Sequence, residues 1–168
     1  LAARLGAGRI HVMAGVGRGP LAEQCYLENL AWAAAQAPDL LLTIEPLNRD
    51  DMPGYFLNDF DQAGRILDDL GLPSVGLQFD LWHAARIHGD ANAVWKRHRA
   101  RINHIQIAGF PSRAEPGGGG VDLTALCAEL DDTGYPGWVA AEYRPARATV
   151  HGLAWLSALK SRARPIGT

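Results

Sequence analysis

The chain has 168 residues, a net charge of −2, 48% apolar residues and 20% charged residues. That length and composition fit a single globular domain with a real core. The charge balance carries no basic surplus for nucleic acid or an anionic membrane surface, so neither is expected as a partner, and no apolar run approaches the roughly 18 residues of a membrane span. Cys25 and Cys127 are far apart in sequence and form no CxxC. Two reduced thiols and no charged-apolar leader point to a cytoplasmic protein.

Short apolar segments alternate with longer helical ones. Residues 1–5 read as the tail of a helix, with Gly6 as its C-cap. Residues 10–14 (IHVMA) read as a strand, and 20–37 have helical periodicity. The strand 40–45 (LLLTIE) is followed by a turn-rich loop from Pro46 to Gly54 and a helix over 58–70. A third strand, 74–80 (SVGLQFD), leads to a short helix near 91–101, with His83 on the intervening loop. The fourth strand is 102–108 (INHIQIA), and residues 109–120 form a long loop ending in four glycines. A helix then runs to about Thr133, a fifth strand covers 138–142 (WVAAE), and a last helix covers 149–163.

Strands alternating with helices predict a parallel sheet covered by helices. Periodicity alone admits a doubly wound sheet or a barrel. No strand is followed by GxGxxG or GxxxxGK[ST], which weakens nucleotide binding. Trp32, Trp95 and Trp155 are expected to pack, and His88 and His98, in polar stretches, to be solvated.

Side chains alternate faces along a strand. Glu45, Asp80, Gln106 and Glu142 therefore stand at similar heights near the C-terminal ends of four successive strands, with Thr43, Gln78 and His104 below them on the same face. In a parallel barrel that end is where active sites are built. Three carboxylates and an amide oxygen converging there would repel each other without a cation, and they suit Mg²⁺ or Mn²⁺. His83, three residues past Asp80, is placed near this group. His104 reads as a lumen histidine, packed or facing substrate, and His11 and Met13 as pocket lining.

With these residues in place, the chain resembles the hydroxypyruvate isomerase family of xylose-isomerase-like TIM barrels. The resemblance is carried by IHVMAG at 10–15, IEPLN at 44–48 with MPGYFL at 52–57, and LQFD at 77–80 with His83. HIQIA at 104–108, Arg113 with Glu115-Pro116, and GYPGW at 134–138 leading into Glu142-Tyr143-Arg144-Pro145 extend it over almost the whole chain. It implies a metal-dependent aldose-ketose isomerase acting on a small sugar acid, hydroxypyruvate giving tartronate semialdehyde through an enediolate. Glu45 and Glu142 would be the acid/base pair and also metal ligands, with Asp80 and Gln106 completing the metal site. His83 would face the substrate. Arg113 and Arg144 are the local candidates for clamping the substrate carboxylate. A 2-oxo-tetronate isomerase, a related sugar epimerase or an inactive truncated barrel are the alternatives. An endonuclease of the superfamily would be expected to use more histidine ligands.

Two departures stand out. Ala114 replaces the family's usual histidine after the arginine, and Gly120-Val121-Asp122-Leu123 replaces its Glu-Ile-Asn-Tyr. A family barrel has eight βα units, whereas five are legible here. The expectation is therefore a single partial (β/α)8 domain over 1–168 lacking the first three units. Its exposed strand edges would invite association, so a homo-oligomer is compatible with this reading.

Overall fold

A computed structural model describes residues 1–117 and 122–160. Five parallel strands lie in the order β1-β2-β3-β4-β5: Arg9–His11, Leu41–Ile44, Val75–Asp80, Ile102–Ile107 and Val139–Ala141. A doubly wound sheet reverses its strand order at a switch point. This sheet never reverses, so it is half of a barrel wall. Around it lie α1 (Ala2–Leu5), α2 (Gly19–Gln36), α3 (Phe60–Leu70), α4 (Leu81–His88), α5 (Ala91–His98), α6 (Leu123–Asp132) and α7 (Ala154–Lys160). Short 3₁₀ turns at Arg99–Arg101 and Thr149–Gly152 precede β4 and α7.

Four helices start on an aspartate whose carboxylate accepts from backbone N–H groups that the first turn leaves unpaired. Asp59 caps α3, Asp80 caps α4, Asp90 caps α5 and Asp122 caps α6. Gly71, at φ 61°, ends α3 in the left-handed conformation that suits glycine. The core lies between the sheet and its helices. All six residues of β3 are buried, and Phe79 on its outer face meets Phe60 of α3 and Trp95 of α5 with ring centroids 5.8 and 5.7 Å away. Burying one such aromatic contributes about 1.5–3 kcal/mol.

Several expectations are corrected. Residues 81–88 form α4 directly after β3, so His83 sits in a helix's first turn and not on a loop. The segment 91–101 divides into α5 and a 3₁₀ turn. His98 is buried, with Nε2 2.9 Å from Asp61, because α3 supplies an acid to the inward face of α5. His88 is half-buried against the Phe60 ring. Trp32 is 66% exposed, on a face of α2 that nothing covers among the described residues. Gly118, Gly119, Gly120 and Val121, and the end of the last predicted helix at 161–163, lie outside the described residues.

Candidate functional site

The inner face of the sheet carries Arg9 and His11, Thr43 and Glu45, Gln78 and Asp80, His104 and Gln106, then Ala140 and Glu142. The ladder pairs Gln78 with His104, Asp80 with Gln106 and Gln106 with Ala140. Ile44 pairs with Leu77, so Glu45 continues the ladder at the level of Gln78, two residues below Asp80. Glu142 lies two residues beyond Ala140. The four predicted residues are thus staggered in register, not level. Barrel strands tilt against the axis, and the stagger returns their ends to one mouth.

Glu45, Asp80 and His83 are all buried, and one ligand atom from each lies within 4.8 Å of the others. Asp80 Oδ1 caps α4, accepting from the Trp82 and His83 N–H groups at 2.7 and 3.3 Å. Its Oδ2 faces Arg113 Nη2 at 3.2 Å and His83 Nε2 at 4.0 Å. Glu45 Oε2 is 3.5 Å from His11 Nε2, while the buried Oε1 has no hydrogen-bond partner among the described residues. Gln106 Oε1 accepts from Gln78 Nε2 at 2.8 Å, and Gln78 Oε1 accepts from Thr43 at 3.3 Å, so an amide chain floors the acid cluster.

Burial decides the electrostatics here, because desolvation penalises charge. It pushes the Glu45 carboxyl up to about 8, reinforced by the charge of Asp80. Asp80 is raised to about 6 by burial, against the pull of Arg113 and the two backbone N–H donors. Burial lowers His83 to about 4, and the Arg113 charge adds to this. Glu142 is different: its side chain is 54% exposed, and Oε2 is held by Arg113 Nη2 at 2.7 Å.

Arg113 therefore bridges Asp80 and Glu142, with its guanidinium 4.8 Å from the Trp82 ring centroid. Its backbone takes φ 56°, and its carbonyl accepts from Arg144 N–H at 2.7 Å. The Arg144 residue is exposed. Deeper in the lumen, Arg9 Nη1 reaches across to His104 Nδ1 at 3.4 Å. Met13 is half-exposed beyond the end of β1.

The structure thus gathers Glu45, Asp80 and His83 tightly, ties Glu142 to them through Arg113, and places Gln106 beside Asp80. Sequence reasoning passed over Arg9, although its spacing from His11 puts both on one face. It also passed over Asn48, whose backbone N–H donates to His83 Nδ1 at 3.0 Å; the run Asn48-Arg49-Asp50-Asp51 is a recognisable Asx-turn signal.

The family model described as xylose isomerase-like TIM barrel matches residues 1–159. The chain belongs to that family. Within the TIM-barrel family it is 44% identical over 158 residues to the 2-oxo-tetronate isomerase of Cupriavidus necator, covering 90% of this chain and 61% of that protein. It is 37% identical over 132 residues to the hydroxypyruvate isomerase of Escherichia coli, covering 77% and 51%. Among solved structures, one described as an AP endonuclease, family 2, from Brucella melitensis superposes with a TM-score of 0.87 at 35% identity, covering 94% and 63%. The 3-keto-D-glucoside 4-epimerase of Escherichia coli, at 24% identity and TM-score 0.71, covers 94% and 66% and shares the fold. The chain spans less than two thirds of the length of each of these relatives.

A divalent cation fits the residues present. Glu45 offers a buried carboxylate oxygen with no partner among the described residues, beside a second buried carboxylate. Two desolvated acids with raised proton affinity are stabilised by a cation between them.

Proposed function

We propose that this chain carries the acid/base centre of a metal-dependent isomerase that acts on a small sugar acid. The observation that supports it most is the pair of unlike glutamates across one mouth: Glu45, buried and raised to about 8, and Glu142, half-exposed and paired with Arg113. Moving a proton between adjacent carbons needs one carboxylate to take it and a group to return it.

Glu45 and Asp80, with Gln106 beside Asp80 and Glu142 at the rim, would hold Mg²⁺ or Mn²⁺. Bound there, the ion supplies Lewis-acid polarisation of the substrate's carbonyl and hydroxyl oxygens, and it lowers the proton affinity of the acids around it. For hydroxypyruvate, one glutamate takes a proton from the hydroxymethyl carbon, the other delivers one to the former carbonyl carbon, and the hydroxyl proton passes from the hydroxymethyl oxygen to the former carbonyl oxygen, giving tartronate semialdehyde. Arg113 has the fork geometry to receive the substrate carboxylate, and engaging it would draw the guanidinium from Asp80 and Glu142. Arg144, whose backbone N–H donates to the Arg113 carbonyl, would be a second cation for that carboxylate. His104 lies deeper and shapes the lumen with Arg9.

The identity of 44% to a 2-oxo-tetronate isomerase supports a second substrate reading, a four-carbon 2-oxo acid in the same site. Assaying the full protein with hydroxypyruvate, 2-oxo-tetronates and neutral ketohexoses, with Mg²⁺ or Mn²⁺, separates these. Turnover of a sugar acid is expected. Turnover of a neutral ketohexose alone would favour an epimerase and contradict the carboxylate role of Arg113.

A further inference from the structure

Proximity alone would make His83 a third metal ligand beside Glu45 and Asp80. Its other ring nitrogen argues otherwise. A backbone N–H can only donate, and that of Asn48 points at His83 Nδ1 from 3.0 Å. The Asn48 side chain adds a second donor. Its Oδ1 accepts from the N–H groups of Asp50 and Asp51 at 3.2 and 3.1 Å, which fixes which end of the amide is oxygen. Nδ2 is thereby directed to Asp51 Oδ2 at 2.8 Å and to His83 Nδ1 at 3.0 Å. Two donors converging on Nδ1 require a lone pair there. The ring's proton must then sit on Nε2, since the hydrogen bond made by one ring nitrogen sets the state of the other.

We propose that Asn48 is a positioning residue that locks His83 in the Nε2–H tautomer, so that His83 presents a hydrogen-bond donor to the acid-lined site and not a lone pair for a metal. A nitrogen that carries a proton cannot ligate a cation. The ring is also clamped in place: Asp80 fixes the start of α4 through the His83 N–H, and Trp82 packs edge-on against the imidazole at 5.2 Å. The natural acceptor for such an N–H is an oxygen on which negative charge grows during reaction. That last assignment rests on the isomerase reading above, whereas the tautomer itself does not.

The test is long-range ¹H–¹⁵N NMR of the histidine rings in the full protein, with and without Mg²⁺. The expected result is an unprotonated Nδ1 and a protonated Nε2 for His83 in both states. A bare Nε2, or loss of the Nε2 proton when Mg²⁺ is added, overturns the proposal. Asn48→Asp keeps an oxygen for the turn but sets an acceptor against Nδ1, so it should move ring population toward the Nδ1-protonated forms. An unchanged ring would remove the side chain from the lock. Calorimetry gives an independent arm. His83→Gln should leave Mg²⁺ affinity unchanged while Asp80→Asn weakens it, and a loss of about 10–100-fold for His83→Gln would make His83 a ligand after all. If the protein turned over no sugar acid while the tautomer stood as described, the isomerase reading would fail and the lock would survive.

Discussion

The middle and the margin of the sheet treat the same chemistry differently. At the ends of β2 and β3, Glu45 and Asp80 are sunk among buried neighbours, and both carboxyls are pushed toward their neutral forms. On β5, Val139 and Ala141 are exposed, and Glu142 stands half in solvent with a guanidinium to balance it. Burial thus raises the proton affinity of Glu45, whereas Glu142 at the same mouth stays half in solvent. The same contrast governs packing: β3 is buried throughout, whereas β5 is covered only in part among the described residues.

The largest effect is expected at the margin of the sheet. Glu142→Gln keeps an oxygen at that position but cannot take a proton, and turnover by the full protein should fall about 10²–10⁴-fold. Mn²⁺ binding by calorimetry should be largely retained. Unchanged turnover would remove Glu142 from the acid/base role.

Packing separates the two regions next. Phe79→Ala should destabilise by about 3–5 kcal/mol, because the cavity opens between two other aromatic rings. Val139→Ala should cost less than about 1 kcal/mol at its exposed position. Urea melts of both variants check the ratio, and similar losses would show that β5 is as well packed as β3.

At Asp80 the cap and the charge can be separated. Asn retains an acceptor for the Trp82 and His83 N–H groups and Ala does not, so the metal-free Ala variant should be less stable than the Asn variant by about 1 kcal/mol. Equal melts would contradict the capping role.

Proton linkage gives the smallest effect. Glu45 is raised from the ordinary 4.5 to about 8, so its contribution to stability is full below about 4.5 and is lost as pH rises through about 8. His83, lowered to about 4, works oppositely, adding stability as pH climbs from about 4 to the ordinary 6.5. Above pH 7 the glutamate dominates. Metal-free protein should therefore lose about 1 kcal/mol between pH 7 and 8, and Glu45→Gln should flatten that slope.

The shared face of Glu45, Asp80, Gln106 and Glu142 was legible because strand alternation is local and follows from counting by twos. What stayed hidden depended on contacts distant in sequence or on one residue serving two elements. Asp80 ends β3 and caps α4 at once, leaving no loop to announce the helix that carries His83. The partner that buries His98, Asp61, is 37 residues away. Arg9 meets His104 only because the sheet curves and brings β1 toward β4. The stagger of the acids likewise comes from strand tilt, which no single strand records.

On the proposed reading Glu45, just past the end of β2, moves a proton of a small sugar acid. The most direct test follows hydroxypyruvate and a 2-oxo-tetronate in the full protein and in Glu45→Gln, each with Mn²⁺ and with EDTA. Isomerisation of at least one substrate by the wild type with Mn²⁺ is expected, abolished by EDTA and lowered at least about 10²-fold in Glu45→Gln. Turnover that survives both EDTA and the substitution would contradict it.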